Sequence, residues 1–292
     1  MPFSSMDDLV NEITSGKFNR TDWNKITGGT AYTAARWYDF SGLAGTPVAN
    51  AFAGTALAWR TCDELTGNGT QIFGLPHGGN VSPDTKHVLN VNALTGVATG
   101  VPAQLMLVDL QGYWPGITNN SATAQTLTGT PSLRYSNGAG CRLFWVQTAA
   151  AGATAQNIAL SYSNTVPTAG RTLPVTVAMT ASAIVGHISH SGAASNNYGP
   201  FLPLASGDTG VSTVATVTFS AANTGTGALC LARPLLTLPL TTASVAAERD
   251  LLNQLPSLPR VMDGACLTWL YFAGAATAAA TNFYGAVEVG WG

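Results

Sequence analysis

Three short apolar runs, each closed off by residues that break regular structure, limit what this chain can fold into. Leu105–Leu110 is nearly continuous in apolar side chains, interrupted by Asp109 alone, with Pro102 before it and Gly112 after it. Cys141–Val146 and Cys266–Phe272 have the same character. Runs of this length, bounded by breakers and rich in branched and aromatic side chains, fit strands buried on both faces better than helices. The first run leads into Tyr113-Trp114-Pro115-Gly116, two large aromatics before a turn dipeptide.

The chain around these runs reads the same way. Asn157–Ser163 alternates, with Ile158, Leu160 and Tyr162 on one face; Val211–Phe219 alternates again. In Phe283–Trp291 the residues Phe283, Val287, Val289 and Trp291 share one parity. Gly67-Asn68-Gly69-Thr70 is a turn signal, and Asn137-Gly138 is a favoured hairpin dipeptide. Pro234 and Pro239 restrict Leu229–Leu240 to broken or edge strands. Roughly ten to twelve short strands, with turns about every eight to twelve residues, mark an all-β sandwich or barrel. No β-α-β rhythm is present. The expected fold is therefore mainly all-β: an antiparallel β-sandwich with a jelly-roll-like body, a short N-terminal helix arm and one short helix near 244–255. Ser244 is the expected cap of that helix, and Val245, Leu251, Leu252 and Leu255 its apolar side.

The N-terminal segment differs from the rest. Nine of the chain's 26 charged residues lie within residues 1–40. Ser5 is a good N-cap, Met6, Leu9, Val10 and Ile13 follow at helical spacing, and Gly16 suits the position just past the helix end. So short a one-faced helix must dock on something. Phe18, Trp23 and Ile26 continue the apolar patch. Residues 1–29 are read as a helical arm and 30–292 as the body; a split into two stacked β subdomains would fall near 165–170. Leu9, Val10, Ile13, Phe18 and Trp23 are the expected arm anchors, and Trp37, Tyr113, Trp114 and Trp291 the body or interface aromatics. Removing residues 1–27 is expected to leave the body folded.

Charge narrows the function. Only 9% of residues are charged, against roughly 25% in ordinary soluble domains. From Leu143 to Gly207 the sole charged residue is Arg171. Soluble monomers use charge of both signs to stay apart, so a coat of Thr, Ser, Asn, Gly and Ala points to a surface occupied by copies of the chain or by partners. With a net charge of −2 and no Lys/Arg cluster, nucleic acid is not an expected partner. No apolar stretch is long enough for a membrane span, and no secretory leader is read at the N-terminus. The four cysteines, far apart and without a C-x-x-C pair, are expected as buried free thiols.

Candidate chemistry is sparse. His187-x-x-His190 on a strand would point its imidazoles to opposite faces, and catalytic zinc normally takes three protein ligands. His77 and His87 flank a turn-rich loop and form no set with a third ligand. Asp109 in an apolar run must be paired, with Arg142 as a candidate partner. Gly225-x-Gly227 lacks the rest of a dinucleotide fingerprint, and no nucleophile elbow, zincin motif or P-loop occurs. No catalytic residue, metal ligand or cofactor is assigned, and an enzyme is not expected. Trp37-Tyr38 and Tyr113-Trp114, if exposed, could stack on sugar rings.

With its acidic N-terminal helix, Ala/Thr/Gly/Asn-rich β body, scarce lysine and apolar strands ending in Trp/Tyr turns, the whole chain resembles virion proteins of tailed bacteriophages. The resemblance implies a structural virion protein assembled in the host cytoplasm. It lacks the long charged helix of the common capsid shell fold, which favours a cement or decoration protein bound to the head shell and to itself, a trimer being the favoured state. The major capsid protein or other virion proteins would be its partners. The alternative is a phage tail or receptor- and glycan-binding protein. A β-sandwich hydrolase using Asp109 ranks last.

Overall fold

The computed structural model describes residues 3–191, 199–254 and 258–292, without the side chains of Asn253 and Gln254. After α1 (Met6–Thr14) the strands run β1 (Phe18–Ile26), β2 (Arg36–Asp39), β3 (Ala44–Thr46), β4 (Arg60–Thr61), β5 (Lys86–Thr95), β6 (Ala103–Thr118), β7 (Gln125–Thr126), β8 (Arg142–Ala149), β9 (Gln156–Asn164), β10 (Arg171–Thr172), β11 (Val177–Met179), β12 (Val211–Phe219), β13 (Thr226–Leu240) and β14 (Ala247–Asp250). One helical turn, α2 (Leu251–Gln254), precedes β15 (Arg260–Val261), β16 (Leu267–Ala273) and β17 (Asn282–Trp291). No helix among the described residues is long and apolar enough to cross a membrane.

The strands form a central sheet and two covers. The central sheet has the order β2-β16-β6-β13-β8, with β4 also on β6. One cover has the order β14-β5-β17-β1-β3, with β15 on β5; the other is β10-β9-β12-β7, with β11 on β9. Every paired strand in these sheets is antiparallel to its neighbour.

Strand alternation explains how one sheet serves three cores. In β6, Leu105 and Leu107 face the first cover, while Val108 and Leu110 face the other way. At Gly112 the register with β13 shifts. Beyond the bulge Tyr113 stays on the side of Leu110, and Trp114 and Ile117 turn toward the second cover. A Cβ on Gly112 would stand 2.3 Å from the Arg60 carbonyl oxygen, so the bulge needs glycine there. β13 does the same in reverse: Leu229 and Leu231 enter the second core, and Leu236, Leu238 and Leu240 the first. β6 and β13, at 16 and 15 residues, thus span both sandwiches.

The third core lies on the opposite face and is enclosed. The Gly186–Ile188 segment bonds to both edges of the central sheet. Ile188 N–H donates to the Trp37 carbonyl and Asp39 N–H to the Gly186 carbonyl; Gln147 N–H donates to the His187 carbonyl and Gly186 N–H to the Gln147 carbonyl, at 2.8–3.0 Å. The sheet is thereby closed around Trp37, Tyr113, Phe144, Cys230 and Leu270, with no free edge at that level.

Several expectations change. Ser5 does cap α1, its hydroxyl accepting from Asp8 N–H at 3.1 Å, and Gly16 follows with φ +94°. Phe18–Ile26, however, is no arm: it is strand β1, hydrogen-bonded between β17 and β3, because Trp23 and Lys25 sit inside the body. Pro234 and Pro239 lie within a continuous strand. They fall in the half of β13 beyond Ala232, where β8 no longer pairs and the missing N–H groups cost no ladder bond on that side. The helix expected over 244–255 is confined to the single turn α2, and its first half is a strand. Ala247–Asp250 pairs with β5, and Ser244 has φ +60°, which is not a cap conformation. Leu255 lies outside the described residues, as does most of the loop at Gly192–Pro200. The turn near 165–170 joins β9 to its own sheet partner β10, so it divides no subdomains.

Candidate functional site

Asp109 lies at the place where the two outer cores meet. β16 and β4 follow one another along the same edge of β6: Leu267 pairs with Asp109, Cys266 C=O accepts from Leu110 N–H, Cys62 N–H donates to Gln111 C=O, and Thr61 pairs with Gly112. Two strand ends therefore abut at Cys62 and Cys266. Arg134 and Asp109 hold this junction. The guanidinium of Arg134 bridges both oxygens of Asp109, through Nε at 3.1 Å and Nη2 at 2.5 Å. Its Nη1 donates to the Cys62 carbonyl at 2.7 Å, and Asp109 Oδ1 accepts from Cys266 N–H at 3.0 Å. Gln111 Oε1 accepts from Arg134 N–H at 3.0 Å. The expected partner, Arg142, instead stands over the Phe201 ring. Asp109 is wholly buried and fully engaged, which makes it a structural carboxylate in this geometry.

A second buried cluster has no counterpart in the sequence reading. Glu64 Oε1 accepts from His77 N–H and Gly79 N–H, and Glu64 Oε2 lies 3.1 Å from His77 Nε2, which also meets the Ala265 carbonyl at 2.8 Å. His77 Nδ1 lies 2.7 Å from Lys86 Nζ, which also donates to the Gly79 carbonyl. Burial pulls the pKa of His77 below its ordinary value, and the neighbouring Lys86 charge adds to this. Burial lowers Lys86 as well. The three residues come from two loops and a strand at irregular spacing, so no motif could have announced them. Lys25 and Asp39 are also buried. Lys25 Nζ donates to the carbonyls of Leu43 and Pro47, and burial brings it down to about 8, whereas burial raises Asp39.

A cleft of about 530 Å³ opens beside the Asp109 junction. Arg134, Arg233 and Arg260 line it with Tyr135, Leu235 and Met262. Arg233 stacks on Tyr135, its guanidinium 4.3 Å from the ring centre, and donates to the Ala139 carbonyl at 2.9 Å. Neither Arg233 nor Arg260 forms an ion pair among the described residues. Three of the nine arginines of a charge-poor chain thus share one hollow. The overall count of Lys and Arg concealed this, since the three are far apart in sequence.

The remaining predicted residues fall into two groups. Trp23, Trp37, Tyr113 and Trp114 are buried in the three cores, at 7% exposure or less, and Tyr38 is at 1%. None of them can stack on a sugar ring, so the aromatic platform imagined for glycan binding is absent at these positions. Leu9 is buried against the body, Ile13, Phe18 and Trp291 are half-buried, and Val10 is 54% exposed. His187 and His190 are both buried, and burial lowers each to about 3. No group of His, Cys, Asp or Glu suited to a metal ion occurs among the described residues. All four cysteines are buried free thiols.

No known family matches the chain, and no curated protein matches it in sequence. Among solved structures, VP2 of infectious bursal disease virus in its subviral particle aligns at 10% identity, covering 94% of this chain and 80% of that one, with a TM-score of 0.19. The structure of the Gt strain of the same virus aligns at 9% identity with the same coverage and TM-score 0.19. A TM-score of 0.19 is too low to establish a shared fold.

Proposed function

We propose that the protein is a structural component of a virion, a cement or decoration protein of a bacteriophage head. In this reading it associates with itself, as a trimer, and with the shell, and it catalyses no reaction. One observation carries the proposal: the outer face of the second cover is uncharged. Along β9 and β12 the outward positions are Asn157, Ala159, Ser161, Ser163, Thr213, Ala215, Thr216 and Thr218. The one charged residue in the strands of this cover, Arg171, is held by Asp208 at 3.0 Å. Elsewhere five of the chain's 26 charged residues are buried, leaving 21 for a surface of 11453 Å². A sheet face of small hydroxyl and methyl groups costs far less to desolvate than a charged one, provided its hydroxyls find hydrogen-bond partners, and has no like charges to repel a neighbour.

Light scattering at several concentrations, at low and high salt, tests this reading. The expected result is a defined oligomer that persists in high salt. The double variant Ala159→Lys/Thr218→Lys, which places two charges on that face, should shift the mass toward the monomer. A wild-type monomer under all conditions would overturn the proposal.

A further inference from the structure

We infer that the arginine-lined cleft is the docking site for the exposed ridge of helix α1 from a second copy of the chain. The inference rests on the self-association proposed above and names a contact within it. α1 is held on its own body by Leu9, while Met6, Asp7, Val10, Asn11 and Thr14 face outward. Met6 and Val10 are 57% and 54% exposed and stand one turn apart, with Asp7 beside them. Asp7 forms no ion pair among the described residues.

The cleft is complementary in kind. Leu235 and Met262 offer apolar walls to a Met6–Val10 ridge, and Arg233 and Arg260 offer guanidinium groups to Asp7. Arg134 contributes little free charge, because Asp109 neutralises it. Arg233 has only a carbonyl and an aromatic ring as partners, so its positive charge is uncompensated by a carboxylate among the described residues. A mixed apolar and cationic hollow suits an acidic, amphipathic helix face better than a bare phosphate chain, which would leave the apolar walls unused.

The segment leading into α1 packs beside the strand pair that carries Arg260. Phe3, just before α1, has its ring 6.1 Å from that of His87, and His87 pairs with Arg260 between β5 and β15. Two neighbouring but different patches meet cyclically when copies are arranged around a rotation axis. Such a heterologous contact closes into a ring when the rotation between copies closes, as the trimer proposed above requires.

Arg260 and Asp7 are exposed, so substituting them spares the cores. Equilibrium sedimentation of the full chain would be compared for wild type, Arg260→Glu, Asp7→Lys and the double variant. Each single variant should weaken association about fivefold or more, as an interfacial charge pair of moderate strength would, and the double variant should restore it to within about twofold of wild type. Circular dichroism of each variant would verify the fold. If wild type associates and the single variants associate equally well, the ridge-and-cleft contact is overturned while self-association stands. If both singles weaken association and the double does not restore it, the two residues do not meet and the contact is likewise overturned. A monomeric wild type would overturn both readings.

Discussion

Asp109 and Arg134 fasten the ends of two strands that reach β6 from different parts of the chain. Removing one partner would strand the other charge in the interior. Asp109→Asn should therefore lower unfolding stability by about 3–5 kcal/mol, seen as a fall in the urea midpoint. Replacing both, as Asp109→Leu with Arg134→Met, should cost less than Asp109→Asn alone; an equal or larger loss would show that the backbone contacts of the pair matter more than its charges. The buried histidines give a second prediction. His187 packs against Tyr38 and feels the charge of Arg36, but burial is the main reason it is lowered to about 3, and His190 is lowered to about 3 by burial as well. A histidine whose folded pKa lies below its unfolded value near 6.5 binds more protons when unfolded. Its stability contribution is complete above about pH 6.5 and is lost as pH falls toward 3. Between pH 7 and pH 4.5 each histidine should withdraw roughly 2–3 kcal/mol. His187→Gln should flatten that decline in urea titrations across the same range, and an unchanged slope would refute the assignment.

At the scale of elements, the N-terminal region divides at Gly16. Deleting residues 1–14 removes a helix packed on the surface and should leave the sandwich with a cooperative thermal transition by circular dichroism. Deleting residues 1–27 also removes β1, with Trp23 and Lys25, from between β17 and β3, and should abolish that transition. Equal behaviour of the two truncations would be inconsistent with this role for β1. The contrast also shows what local pattern can and cannot convey. Alternation made β9, β12 and β17 readable, because each has one face on a core and one outward. The apolar runs of β6, β8 and β16 were readable because both their faces are buried. Ala247–Asp250 was not, since its four residues become a strand only through the open side of β5, where Glu248 Oε1 accepts from the Asn90 side-chain amide. The Arg134 partnership and the Glu64–His77–Lys86 cluster were illegible for a different reason. Residues far apart in sequence meet there through the closure of the central sheet and its loops, which no spacing rule encodes. Asn137-Gly138, read as a hairpin dipeptide, does turn the chain through two successive positive φ values, but Ala139 bridges to Gly210 and no two-strand hairpin forms there.

In the whole molecule, β6 and β13 each contribute side chains to all three cores, so neither cover can be lost without exposing the strands that hold the other. Calorimetry should accordingly show one transition with matching calorimetric and van't Hoff enthalpies; two resolved transitions would mean that the sandwiches melt separately. The interior position of Lys25 and Lys86 has a further consequence. The chain has three lysines, and the third, Lys17, is clasped between Glu12 and Asp84 with its side chain 33% exposed. The folded chain therefore offers lysine-directed reagents little to grip. An aldehyde fixative or succinimidyl ester should modify Lys17 slowly and Lys25 and Lys86 only after unfolding, as peptide mass mapping can verify. Among its side chains, the exposed carboxylates are the better handles for conjugating or cross-linking the folded protein.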